Sequence, residues 1–266
     1  MTQREREPIA VAGVPDFWER LRASKRRCLV LDYDGTLAPF REDRMEAYPL
    51  EGISGQIERI RDDDDTYVAI MTGRPLKELL LLLGDLGIAV SASQGTEFYE
   101  PGGEVKIIQA TPRQAQRLAR AEVEAAAVSR GGHVERKLAS VAFHTRGLDP
   151  GIAKEAETEL CEIWDREADQ YDLDCRSFNG GVELRLKDID KGTALHELLR
   201  DQPTDAFCVY IGDDDTDEDA FLEIRGRGIG IKVGGADVPT HATGRVSDCE
   251  AVREVLRYWV SIVEGA

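Results

Sequence analysis

The sequence has little of what marks several functional classes. Its longest uninterrupted run of large apolar residues is Leu79 to Leu83. Roughly 20 such residues are needed to cross a bilayer, so no membrane partner is expected. Basic residues are scarce, with 34 Lys and Arg against 51 Asp and Glu, a formal net charge of −17 in 266 residues. Proteins bind double-stranded nucleic acid with basic side chains that displace counterions, and no basic stripe is present to do it. The cysteines Cys28, Cys161, Cys175, Cys208 and Cys249 form no CxxC pair, no Cys/His cluster and no even disulfide framework. That usage points to reduced thiols in a cytoplasmic protein. Arg4 to Glu7 are followed by no apolar stretch, so no secretory leader is expected either.

What is present suits a globular α/β protein. Hydrophobic residues make up 42% of the chain, enough to bury a core, and the length allows one large domain or two smaller ones. Short continuous apolar runs are the mark of parallel strands buried on both faces. They occur at Cys28–Leu31, Tyr67–Met71 and Phe207–Ile211, and more weakly at Ile88–Val90 and Gly228–Ile231. Helical patterns near 53–62, 75–84, 191–200 and 216–224 alternate with them, so an open parallel sheet is expected. Thr111 to Leu186 breaks that rhythm. It reads as a helix over 111–129, strands at 134–137 and 140–145, a helix over 150–168, and strands at 171–178 and 182–186. The order α-β-β-α-β-β describes a small α+β domain, residues 110–186, inserted into a core built from 1–109 and 187–266.

The core strands ending at Leu31, Met71 and Ile211 run into polar residues, and open α/β sheets place ligands at those ends. The first delivers Asp32-Tyr33-Asp34-Gly35-Thr36. The second delivers Thr72-Gly73-Arg74-Pro75, whose hydroxyl and backbone N–H groups near a helix start suit an anion. The third runs from Gly212 to Asp219 with six acidic side chains, which repel one another unless a cation or water compensates them. A calcium loop numbered from Asp213 fails, because position six is Glu218 and position twelve is Ile224. Magnesium, which takes one or two carboxylates, waters and a phosphate, remains. Lys191, opening a helix where the insertion ends, is the cation that a transferring phosphoryl group needs.

Leu31-Asp-Tyr-Asp-Gly-Thr-Leu37, Met71-Thr-Gly-Arg-Pro75, Lys191-Gly192 and the run from Gly212 to Phe221 resemble the four ordered motifs of the haloacid dehalogenase-like phosphatases. Within that superfamily the chain is most similar to the trehalose-6-phosphate phosphatases. Glu135 to Arg146 resembles that family's cap motif, Gly181-Val-Glu-Leu-Arg185 its cap exit, and Gly95-Thr-Glu97 its Gly-x-Glu. The resemblance implies a Rossmannoid parallel-sheet core with an inserted α+β cap of the C2B type, a Mg²⁺ cofactor and a sugar phosphate substrate. By it, Asp32 is the nucleophile and Asp34 the general acid and base. Thr72 and Lys191 hold the phosphoryl group. The metal set is Asp32, the carbonyl of Asp34, and Asp213, with Asp214 and Asp217 acting behind it or through water. Arg74, Glu97, Lys137, His144, Glu183 and Arg185 are the substrate-binding positions. Two positions depart from the family pattern: Gln94 stands where His is common, and Leu186 where Pro is common. The alternatives are a phosphatase for another glycosyl phosphate, such as a sucrose phosphate or a glycosyl-phosphoglycerate, and a non-catalytic sugar-phosphate sensor. A monomer with a cap that opens and closes is expected.

Overall fold

In the computed structural model, which describes residues 8–178, 180–236 and 238–265, the apolar runs become the middle of a sheet. The stretch from Arg4 to Glu7, read above for a leader, lies outside those residues, as do Met1 and Ala266, the outer ends of the core segments. The chain divides into two compact units, one comprising residues up to Lys106 together with those from Asp190, the other Ile107–Ile189.

The larger unit begins with α1 (Phe17–Ala23), β1 (Arg27–Leu31), α2 (Ile53–Arg61), β2 (Thr66–Met71), α3 (Leu76–Leu83), β3 (Ala89–Ala92) and β4 (Glu97–Tyr99). After β5 (Lys106–Ile107) comes the smaller unit, with α4 (Pro112–Val128), β6 (His133–Arg136), β7 (Ser140–His144), α5 (Pro150–Ala168), β8 (Leu173–Phe178) and β9 (Gly181–Leu186). The larger unit then resumes with α6 (Lys191–Leu199), β10 (Phe207–Gly212), α7 (Glu218–Glu223), β11 (Gly228–Val233), β12 (Gly244–Val246) and α8 (Cys249–Val263). Its eight strands lie in the order β12-β11-β10-β1-β2-β3-β4-β5. The five pairings from β12 to β3 are parallel, and β3 pairs with β4 antiparallel.

The apolar runs are continuous because both faces of the sheet are covered. In β1, Leu29 and Leu31 join one buried cluster with Ile57 of α2 and Trp259 of α8. Cys28 and Val30 join the opposite one with Leu195 of α6 and Phe221 of α7. The helix expected over 216–224 is split, with a 3₁₀ turn over Asp215–Asp217 preceding α7. Five elements were not expected. α1 is seven residues, and β4, β5 and β12 are two or three, too short to carry a periodic signal. α8 is fifteen residues and does carry one: Val252, Val255, Leu256 and Trp259 recur at helical spacing behind the N-cap Asp248.

In the smaller unit the sheet order is β6-β7-β9-β8, antiparallel throughout. Val141, Phe143, Val182 and Leu184 cluster with Leu118 and Ala121 of α4 and with Leu160 and Trp164 of α5. Thr111 caps α4 in a capping box with Gln114, ahead of Pro112 at the first helical position. Since side chains alternate across a strand, the other face carries a different set of residues, and that face is polar. Among the described residues no helix is long and apolar enough to cross a membrane.

Candidate active site

Register brings the strand ends of the larger unit level. Leu31 of β1 pairs with Ile211 of β10 on one side and Ile70 of β2 on the other. Asp32 therefore leaves the sheet beside Gly212 and Met71, and its N–H donates to the carbonyl of Ile211 at 2.9 Å. Two glycines permit the loops to close. At Gly35, with φ +72°, a Cβ would lie 2.1 Å from Asp213 Oδ2, and at Gly212 a Cβ would lie 2.4 Å from Asp217 Cγ.

Within that space, ligand oxygens of Asp32, Asp213 and Asp217 all lie within 4.8 Å of one another. Lys191, the first residue of α6 behind its N-cap Asp190, reaches between two of them. Its Nζ donates to Asp32 Oδ1 at 2.8 Å and to Asp217 Oδ1 at 2.5 Å. Burial alone would lower the Lys191 ammonium, but Asp217 and Asp32 more than reverse it and hold it above the ordinary lysine range. Asp217 is fully buried and engaged at both oxygens, since Oδ1 also accepts from Tyr210 Oη and Oδ2 accepts from the Asp214 N–H at 2.8 Å.

Asp213 differs. Its Oδ1 is buried with no hydrogen-bond partner. Burial first and then the Asp217 charge push Asp213 up to about 7, with Lys191 opposing. Asp32 is likewise pushed up, by burial first, with Lys191 opposing. With all three carboxylates ionised, the one ammonium leaves this buried group at a formal charge of −2. A divalent cation would neutralise that charge and give Asp213 Oδ1 a partner. The donor set, all oxygen, suits a hard cation.

The remaining predicted residues fall in four places. Asp214 turns its side chain into the 3₁₀ turn, accepting from the Asp215 N–H at 2.8 Å, while its carbonyl accepts from the buried Lys232 Nζ at 3.0 Å. Thr72 is fully buried beyond β2, its Oγ1 accepting from the Arg74 N–H at 3.2 Å. Arg74 pairs with Asp34 rather than standing open, Nε on Oδ2 and Nη2 on Oδ1, both at 2.6 Å. Glu97, at the start of β4, accepts from Ser93 Oγ at 2.5 Å.

Lys137, His144, Glu183 and Arg185 meet on the polar face of the smaller sheet. Glu135 lies opposite Ala142, and Ala142 opposite Glu183, so Glu135 and Glu183 flank a small residue. Ser140 lies opposite Arg185 and His144 opposite Gly181, two residues away on the same face. Glu183 Oε1 accepts from Lys137 Nζ at 3.0 Å and Ser140 Oγ at 2.6 Å. His144 Nε2 lies 2.9 Å from Glu135 Oε2 and packs edge-on against Phe178. Arg185 Nε is buried without a partner. Tyr210, Ser140 and Glu135 are the additions to the sequence reading. Period-two spacing with Lys137 marks Glu135 in the sequence, whereas nothing local marks Tyr210 inside an apolar run.

The trehalose-phosphatase family model matches residues 30–250. The chain belongs to that family. It is similar to the bifunctional trehalose-6-phosphate synthase/phosphatase of Thermoproteus tenax, with 33% identity over 234 residues covering 88% of this chain and 32% of that protein. The chain spans about a third or less of the length of the first curated relatives it matches. The solved C-terminal domain of trehalose-6-phosphate phosphatase from C. albicans aligns with a TM-score of 0.80 at 22% identity, covering 97% of this chain and 99% of that one. A haloacid dehalogenase-like hydrolase from B. subtilis aligns at 0.61 and 14% identity, covering 90% of this chain and 99% of that one. The fold of this trehalose-phosphatase family member is thus haloacid dehalogenase-like: a parallel-sheet α/β core with an inserted α+β unit.

Proposed function

We propose that this chain is a Mg²⁺-dependent phosphoric monoester hydrolase that converts trehalose 6-phosphate to trehalose and phosphate, as a step in making trehalose. The observation that carries the reading is the buried group of Asp32, Lys191, Asp213 and Asp217 at the ends of β1, α6 and β10, in a chain of the trehalose-phosphatase family. In the first step an Asp32 oxygen attacks phosphorus, the bond from phosphorus to the sugar oxygen breaks, and Asp34 gives that oxygen its proton. In the second, water attacks the aspartyl-phosphate, Asp34 takes the water's proton, and the bond to Asp32 breaks. A carboxylate nucleophile divides one hard displacement into two easier ones, and the second Asp spares the sugar from leaving as an alkoxide.

Lys191 holds Asp32 and offsets charge on the phosphoryl oxygens, and Thr72 donates to them. Asp32, Asp213 and the carbonyl of Asp34 would hold Mg²⁺, positioned through Asp217 and Asp214; when bound, it polarises the phosphoryl group and eases the approach of an anionic substrate to Asp32. Lys137, His144, Glu183 and Arg185 read the sugar. Their shared face, with a carboxylate beside cationic donors, matches a ligand whose hydroxyls both donate and accept. The test is phosphate release from trehalose 6-phosphate against sucrose phosphate, a glycosyl-phosphoglycerate and simple hexose phosphates, with Mg²⁺ and with EDTA. Preference for trehalose 6-phosphate, abolished by EDTA and restored by Mg²⁺, is expected. Equal turnover of the whole panel would sink the substrate reading, and full activity in EDTA would sink the magnesium reading.

A further inference from the structure

We infer that Arg74 is a positioning residue for Asp34, a clamp that aims the acid at the leaving oxygen, rather than a contact to the substrate's phosphate. This rests on the phosphoryl-transfer reading of the same site. One edge of the guanidinium, Nε with Nη2, matches a carboxylate or a phosphate in two parallel hydrogen bonds. In this structure that edge is spent on Asp34, at 2.6 Å for each bond. The third nitrogen, Nη1, is buried with no hydrogen-bond partner, and its nearest ion-pair oxygen is Glu78 Oε2 at 3.9 Å. Glu78 is itself held by Arg44, whose Nε donates to it at 3.1 Å.

Burial decides which partner of the pair moves. The Arg74 side chain is 6% exposed while Asp34 is 29% exposed. Arg74 leaves β2 just ahead of α3, with its N–H on Thr72 Oγ1 and its guanidinium 5.5 Å from the centre of the Tyr33 ring. It is the fixed member, and Asp34 takes its direction from it. Acid catalysis depends on geometry first, so losing this direction costs most where the leaving group needs a proton.

The test compares kcat/KM for two esters, because in a two-step mechanism that ratio reports only events up to departure of the leaving group. One is an alkyl phosphate that the wild-type enzyme hydrolyses, trehalose 6-phosphate in the first instance, and the other is p-nitrophenyl phosphate, whose leaving group departs without a proton. Arg74→Met should lower kcat/KM for the alkyl ester at least about tenfold more than for the aryl ester, within the roughly 10²–10⁴ span of acid–base help. Arg74→Lys keeps the charge but not the fork and should recover only part of the difference. In an Asp34→Asn background Arg74→Met should change the alkyl-to-aryl ratio no further.

Parallel losses on both esters in a folded variant, together with weaker inhibition by inorganic phosphate, would make Arg74 a phosphate contact and overturn the clamp. Full recovery by lysine would overturn the fork argument as well. Absence of activity on trehalose 6-phosphate alone would end the substrate reading and leave the Arg74 comparison to any other alkyl phosphate turned over. A wild-type enzyme that cleaved no alkyl phosphate would overturn both.

Discussion

Lys191→Met isolates the charge balance of the buried group. The lysine is 3% exposed and is bonded to Asp32 and Asp217, themselves 5% and 0% exposed in their side chains. Replacing it takes the group's formal charge from −2 to −3 with little solvent to screen the change. Breaking a buried ion pair by removing one partner costs about 3–5 kcal/mol, because the other charge is left uncompensated. At about 2–4 °C per kcal/mol for a unit of this size, the melting temperature should fall by roughly 6–20 °C in EDTA, read by scanning calorimetry. Excess Mg²⁺ should stabilise the variant more than the wild type, since the variant presents the larger uncompensated charge, while phosphatase activity stays absent on alkyl and aryl esters alike.

The wild type gives the matching pH test. In EDTA, burial pushes Asp213 up to about 7 from the ordinary 3.8, so between those values the folded state holds a proton that the unfolded state has released. The contribution of Asp213 to stability in EDTA should therefore be full below about pH 4 and be lost as pH rises toward 7, and Mg²⁺ should remove that loss. A Lys191→Met protein melting within 2 °C of wild type in EDTA (about 1 kcal/mol or less) would refute the electrostatic account of the site.

Asp32→Asn should abolish turnover and prevent any phosphoenzyme from forming; a beryllium fluoride adduct seated in a crystal with Asp32 left unmodified would show the covalent step to be wrong. Glu183→Ala leaves Lys137 and Ser140 without their shared acceptor and should cost about 1–3 kcal/mol, roughly five- to a hundredfold in kcat/KM on trehalose 6-phosphate. The loss on p-nitrophenyl phosphate should be markedly smaller, and equal losses on the two in a folded protein would remove Glu183 from sugar recognition.

The legible parts of this fold are those whose physics is local. A strand covered on both faces must be apolar along its length, and a carboxylate or hydroxyl at its end has no packing reason to be there, so β1, β2 and β10 announce both themselves and their ends. The α-β-β-α-β-β order of the smaller unit is legible for the same reason, helped by Thr111-Pro112 at the start of α4. Partner choice is not local. Arg74 and Asp34 are forty positions apart, and Lys191 and Asp32 are 159 apart. A motif shows that both members are present, but only the fold decides that Arg74 spends its fork on Asp34. Tyr210 is hidden further: its ring belongs to the apolar run, and its hydroxyl matters only because Asp217 arrives beside it.

The two departures from the family pattern separate sequence difference from chemical difference. Leu186 ends β9, its side chain buried in the cluster under α4 and α5, and its N–H donates to the carbonyl of Ala139 at 3.0 Å. A proline there would have no N–H to give, so in this chain the position is tied into the sheet and packed from beneath, away from the polar face that carries Glu183 and Arg185. Gln94 stands nearer the chemistry. It adopts φ +58°, its N–H donates to the Thr72 carbonyl at 3.1 Å, and its side-chain nitrogen lies 2.6 Å from where a Cβ on Gly73 would sit. An uncharged amide therefore packs on the turn that presents Thr72 and Arg74, where the family commonly places an imidazole. Leu186 bears on how the smaller sheet is held, whereas Gln94 bears on the loop that aims Asp34, so of the two it is the substitution with a route to the rate.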